Sequence, residues 1–289
     1  MYQEFISELY SSPIAITING LNPYLPSISQ FLLGAQIADN KPELKLSLLD
    51  ALMNGIDKPD QPDNENPSVA IIRLNGMMSK FGSWFDYGTE EYAHLLDQAY
   101  ADDSIKAVVM PIHSVGGTVH SVFPMEAAIK RRNKPVLAVV DSNTKSAAYY
   151  IASLCDRVYS TNRMSEVGSI GVMAQMMNAD KMHEKEGIKV VTIIPPESKW
   201  KNKAFMEARK GKTDLFIKEE LTPWALHFQD IVKQNRPNLK LSVDGLLEGR
   251  EFYAYDAIDN GLIDEIKPFT QIVKDAFTYN QDQLNQFLK

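Results

Sequence analysis

The sequence predicts an α/β domain. From residue 68 onward, short apolar runs rich in Val, Ile and Ala alternate with amphipathic helical patterns, which argues for parallel βαβ units. Of 289 residues, 44% are hydrophobic and 23% charged, an ordinary balance for a soluble chain with a full core. That length accommodates one large domain or two small ones.

The elements follow in order. Residues 1–56 carry short helical patterns, "YQEFISELY", "LPSISQFLLGAQIA" and "LKLSLLDALMNG", and predict an N-terminal helical arm. "DKPDQPDNENP" (57–67) holds no aliphatic residue and predicts an exposed linker. "SVAIIRLNG" is a buried strand, and "TEEYAHLLDQAYAD" an amphipathic helix with Thr89 as its N-cap. "IKAVVMPI", "PVLAVVD", "RVYST" (157–161) and "KVVTII" (189–194) are further strands. Helices are expected at "SVFPMEAAIKRR", "SAAYYIASL", near 178–186, and along "TDLFIKEELTPWALHFQDIVKQN". "LIDEI" is a last short strand, which closes a main domain at 68–270 and leaves 271–289 as a tail.

Several function classes are disfavoured. The net charge is −7 and the pI about 5.3, and no basic run exceeds "KRR" (130–132), so no nucleic-acid groove is expected. The five histidines lack ligand spacing with cysteines or carboxylates, so neither metal nor cofactor is expected. The single cysteine, Cys155, excludes an intramolecular disulfide and reads as a packed helix residue. The N-terminus has no basic segment followed by an apolar core, and no run approaches the ~18–20 apolar residues of a membrane span. A cytoplasmic location, with no membrane span, is the expectation.

In open α/β sheets, ligands sit beyond the carboxyl ends of the strands. Two loops are expected there, "HSVGGTVH" (113–120) and "SNTKS" (142–146). Gly116 and Gly117 serve either a tight turn or a backbone that a substrate approaches closely, with N–H groups free for an oxyanion. Ser146 opens a helix after a buried strand and is either a cap or a nucleophile. A nucleophilic serine needs a base. His113 and His120 lie near the glycines, but no carboxylate orders them as a triad. Lys145 is the immediate neighbour of Ser146, and adjacent side chains do not face each other. "PPESKWKNKAF" offers Lys199, Lys201 and Lys203 near Trp200. Any lysine base must fall from its ordinary pKa near 10.4 to near neutrality, which costs roughly 4 kcal/mol.

The ordered motifs "SVGG" (114–117), "SAAYYIA" (146–152), "VGSIGV" (167–172), "EGIKVVTI" with the lysine at 199, and "GREFYAYDAIDNGLIDEI" (249–266) carry a resemblance. Together they resemble the signal peptide peptidase A family of serine-lysine peptidases, including its phage capsid-maturation branch. "YSSPIAITINGL" (10–21) is similar to the opening of that branch. The resemblance implies a Clp protease/crotonase-like core of repeated β-β-α units. It implies Ser146 as nucleophile, Lys199 as base, and Ser169 as the hydroxyl that orients it. Gly117 and the backbone N–H of Ala147 match the oxyanion donors, with Gly116 beside them. Val115 replaces the family's usual proline. Lys201, Asn202 and Ala204 replace an Asp, a Gly and a Pro near the base, so Lys201 stays open as the alternative base.

The resulting expectation is a serine-lysine endopeptidase of phage or prophage type, cleaving scaffold or coat proteins, cytoplasmic or prohead-associated, and assembled as a ring-like homo-oligomer. The alternatives are a cytoplasmic peptidase that clears signal-peptide remnants and a catalytically silent capsid or scaffold protein.

Overall fold

A computed structural model describes residues 14–16, 44, 47–50, 68–82, 87–176, 180–189 and 191–279. Its strands and helices, in chain order, are β1 (Ile14–Ile16), β2 (Ser47–Asp50), β3 (Ser68–Ile71), β4 (Leu74–Asn75), α1 (Thr89–Ala101), β5 (Ile105–Ser114), β6 (Gly116–Thr118), α2 (Val122–Lys130), β7 (Val136–Lys145) and α3 (Ala147–Ser153). There follow β8 (Arg157–Ser160), β9 (Glu166–Gly168), α4 (Asp180–Lys185), α5 (Lys203–Ala208), the helical turn Asp214–Phe216 and the π-helical stretch Ile217–Leu221 that lead directly into α6 (Thr222–Asn235), β10 (Glu251–Tyr253), α7 (Ala254–Asn260), β11 (Glu265–Ile266) and α8 (Phe269–Thr278). Strand, short strand, helix recurs as β3-β4-α1 and β5-β6-α2, so an α/β architecture built on β-β-α repeats is present.

The main sheet runs β10-β9-β7-β5-β3-β2, with β3, β5 and β7 parallel. These strands are buried on both faces, as continuous apolar runs require. Val108, Met110, Val136, Ala138 and Val140 join one core with α1, α2 and α3. Val69, Val109, Leu137 and Val139 join a second core with Ile272 and Val273 of α8.

β7 makes two successive pairings. Leu137–Val140 pair with β8, and Asn143–Lys145 with β9. Between them the register against β5 slips: Ile112 faces Val140, but Ser114 faces Thr144. β7 therefore spends four residues where β5 spends two, a bulge centred on Ser142 at φ +69°. Thr144 Oγ1 donates to Ile112 O at 2.9 Å and closes the far side of the bulge.

Several elements differ from the sequence expectation. "SNTK" is not a loop but the end of β7, and the expected glycine loop contains strand β6. Ser47–Asp50, expected within a helical pattern, pairs antiparallel with β3. The first two helical patterns of the arm and the linker lie outside the described residues. The run 189–194 forms no strand over its described residues; Val191 and Ile193 are 66% and 88% exposed, with no neighbouring strand to pair them. α1 is capped by Gly88 rather than Thr89, because Glu91 reaches back to the Gly88 N–H at 2.7 Å.

Candidate active site

Ser146 sits at the junction of β7 and α3 with φ +53° and ψ −125°, a backbone that non-glycine residues rarely adopt. The junction is held from both sides. Ser146 N donates to Gly168 O at 2.8 Å, and Ser146 O accepts from Tyr150 N at 2.9 Å. The side chain is buried at 2% exposure. Such a conformation costs about 1–3 kcal/mol and persists only where its surroundings over-determine it. Here β9, β7 and the first turn of α3 do so.

Ser169 is the next residue beyond that anchor. Gly168 (φ +104°) pairs with Lys145 across β7 and β9, and Ser169 follows at φ +54°, its N–H bonded to Arg250 O at 2.9 Å. The fold thus brings Ser146 and Ser169 together at neighbouring strand ends. Among the described residues, only Ser142, Ser146, Ser169 and Asn202 are non-glycines with positive φ, and two of these four form this junction.

Gly116 and Gly117 lie in β6. Met78 N donates to Gly116 O at 2.9 Å, and Thr118 N donates to Met78 O at 2.9 Å. Successive backbone groups of a strand point to opposite edges, so the N–H and C=O of Gly117 face away from Met78. A Cβ on Gly117 would lie 1.7 Å from Met78 O. This glycine is therefore required by the close approach of Met78 as well as by any role in catalysis.

Lys145 occupies the position before Ser146 and points elsewhere. Its Nζ bonds Glu251 at 2.7 Å and also bonds Glu166. Burial works against its charge, but the hydrogen bonds and field of Glu166 and Glu251 prevail and raise its pKa. It stays protonated and is no base.

Lys199 follows the short 3-10 turn Pro196–Ser198 and is exposed, as is Lys201. No hydrogen bond or ion pair joins either to Ser146 or Ser169 among the described residues. Trp200 is 57% exposed and lies under Lys203 Nζ at 4.2 Å, so the lysines sit on a solvated basic loop without the burial that a neutral lysine base requires. The structure brings together Ser146, Ala147, Ser169 and the glycine strand; it does not bring the lysine to them.

Sequence reasoning missed a small apolar recess beside Ala147, with room for little more than one water molecule, lined by Val119, Val122, Tyr150, Trp224 and Phe228 among others. Behind it, Tyr150 OH donates to Glu126 Oε2 at 2.8 Å and lies 3.1 Å from His227 Nε2. Burial, then the Glu126 hydrogen bond, pushes the Tyr150 pKa up. The adjacent Tyr149 is the core anchor, its OH donating to Leu262 O at 2.7 Å. The only signal in sequence was the aromatic pair, whose members point in different directions on a helix. Cys155 is buried, and burial pushes its thiol pKa up, consistent with a packed, unreactive residue.

Among the described residues, no group of three or more His, Cys, Asp or Glu could hold a metal ion, and no helix is long and apolar enough to cross a membrane.

The family model of peptidase family S49 matches residues 128–282, a stretch that includes Ser146, Ser169 and Lys199. The chain belongs to peptidase family S49. That membership supports its classification as a serine-lysine peptidase. Relatives to which the chain is similar include Protease 4 of Haemophilus influenzae, 26% identical over 224 residues, covering 75% of this chain and 36% of that protein. Another is the chloroplastic serine protease SPPA of Arabidopsis thaliana, 27% identical, covering 68% of this chain and 30% of the relative. A third is head-tail preconnector protein GP5 of Enterobacteria phage P21, 28% identical over 200 residues, covering 68% of this chain and 38% of that protein. The chain thus spans between 30% and 38% of the length of these three relatives.

Proposed function

We propose that the chain is a serine-lysine endopeptidase that cleaves scaffold or coat proteins during phage or prophage capsid maturation. The observation that carries the peptidase reading is the strained, doubly anchored Ser146 beside Ser169 and a glycine strand with its N–H turned outward. The likeness to a phage head-tail preconnector protein supports the finer assignment. The likeness to SPPA favours the runner-up, a cytoplasmic peptidase for signal-peptide remnants.

Ser146 Oγ attacks the scissile carbonyl while Lys199 Nζ, as the neutral amine, takes its proton. The N–H groups of Gly117 and Ala147 receive the oxyanion, with Gly116 shaping the strand, and Ser169 orients the lysine. The protonated lysine then gives its proton to the leaving amine, and water attacks the acyl-enzyme. The division into arm (1–56), linker (57–67) and peptidase domain (from 68) remains part of this reading, but the domain does not end at 270 with a tail over 271–289, because α8 packs Ile272, Val273 and Ala276 into the core.

A ring-like homo-oligomer belongs to the same proposal. Val191, Ile193, Trp200, Phe205, Ile217 and Leu226 are all exposed along one contiguous part of the chain, an apolar surface that a neighbouring copy would cover.

Incubation with unfolded casein tests the activity. Wild type is expected to yield fragments, and Ser146→Ala to lose roughly 10³-fold or more in kcat/KM while retaining its fold. Retained activity in a clean Ser146→Ala preparation overturns the nucleophile; inert wild type that co-purifies with capsid components favours a structural protein.

A further inference from the structure

β6 has two edges. Met78 takes one, through Gly116 O and Thr118 N. The other is taken by the chain's own β1, which pairs antiparallel in the register Ile14 with Thr118, Ala15 with Gly117, and Ile16 with Gly116. Because the Gly116 and Thr118 groups are spent on Met78, Ala15 and Gly117 are the pair that exchange both backbone hydrogen bonds. The Ala15 carbonyl accepts from the Gly117 N–H, and the Ala15 N–H donates to the Gly117 carbonyl. The candidate oxyanion donor is therefore already bonded to a peptide carbonyl of the same chain. Ser146 is simultaneously buried, at 2% exposure. An extended substrate cannot reach the serine and this N–H until something leaves.

We propose that the outer edge of β6 is a strand-docking surface for extended peptides, and that Ile14–Ile16 is its resident occupant, competing with substrate. Main-chain pairing supplies the recognition, so the site takes any extended peptide able to add as an antiparallel strand. The proposal rests on the peptidase reading for its consequence, but the docking itself does not require turnover.

The register makes it testable by single substitutions in the full-length chain. Ala15→Pro removes the N–H given to Gly117, whereas Ile16→Pro leaves the Ala15 N–H intact. If β1 fills the edge about 80% of the time, freeing it lowers the apparent KM for casein about fivefold with kcat unchanged. Ile16→Pro is expected to stay within about twofold of wild type. In parallel, a fluorescein-labelled peptide with the sequence of residues 12–18, SPIAITI, is titrated by anisotropy against Ser146→Ala alone and combined with Ala15→Pro. Binding about fivefold tighter to the double variant supports the proposal. Equal peptide affinity in the two proteins overturns it, as does an Ala15→Pro KM equal to that of wild type. If no protein in the set cleaves anything, the peptidase reading falls and the anisotropy comparison alone decides the docking. If Ala15→Pro fails to fold, competitive inhibition of wild type by the unlabelled peptide decides: inhibition supports the edge, and none overturns it.

Discussion

The strand-helix junction 136–153 and the lysine segment 191–213 are the two halves of one proposed site, and they are built by different means. The junction lies inside the sheet: β7 is buried along Val136–Val140, and every residue of α3 is buried. The lysine segment is largely exposed, with Ile193 at 88% and Trp200 at 57%. Packing and hydrogen bonds fix the serine, while among the described residues no hydrogen bond or ion pair ties the exposed Lys199 side chain to it. A nucleophile can be held by the core of one chain. A base that must be neutral needs burial, and an isolated chain leaves this loop in water.

The sharpest way to break this comparison is to remove the base. Lys199→Ala is expected to cost roughly as much as Ser146→Ala, about 10³-fold in kcat/KM, because members of a dyad act as a unit. Lys201→Ala is expected to stay within about threefold. If the two results swap, the register of the loop is off by two residues. Mixing inactive Ser146→Ala with inactive Lys199→Ala under subunit exchange recovers activity if the lysine crosses to a neighbour's serine. A fully active monomer by light scattering removes that route.

Gly117→Val probes the rigid half. A Cβ 1.7 Å from Met78 O forces β6 away from Met78, so the loss is expected in stability as well as turnover, about 3 kcal/mol or more by urea titration. A variant as stable as wild type would mean that β6 is not packed as described.

Lys145→Met gives the smallest effect. It strands Glu166 and Glu251, which are themselves 32% and 39% exposed, so about 1–2 kcal/mol is expected. The Lys145 pKa is raised in the folded state, so its contribution is complete below the unfolded value of about 10.5 and fades as pH climbs through the higher folded value. The stability gap between wild type and Lys145→Met should therefore hold at neutral pH and narrow above about pH 10.5. A gap that widens there contradicts the ion pairs.

The same contrast explains what could be read from the sequence. β3, β5, β7 and β8 were legible because buried parallel strands are written as apolar runs. β6 and the last residues of β7 were not. Gly116–Thr118 and Asn143–Lys145 carry no apolar run, and Gly, Asn and Ser signal turns. Ser47–Asp50 lies in "LKLSLLDALMNG", whose leucines recur at helical spacing; only the distant β3 makes it a strand. The run 189–194 failed the other way: β-branched residues favour strands, but among the described residues no strand pairs with them. Ser146 could be proposed from its junction, and Lys199 only from family likeness. The small recess beside Ala147 draws on residues from 119 to 228, and no local pattern announces such a convergence.

The bulge at Ser142 has a consequence for how this protein would fail on heating. It lies on the strand whose first half is woven into β5 and β8 and whose second half delivers the serine onto β9. The candidate nucleophile Ser146 has no hinge of its own and cannot loosen while the sheet stays intact. Thermal inactivation through this half of the site would coincide with the melting of the whole domain, whereas inactivation through the lysine half would come earlier and reverse on cooling.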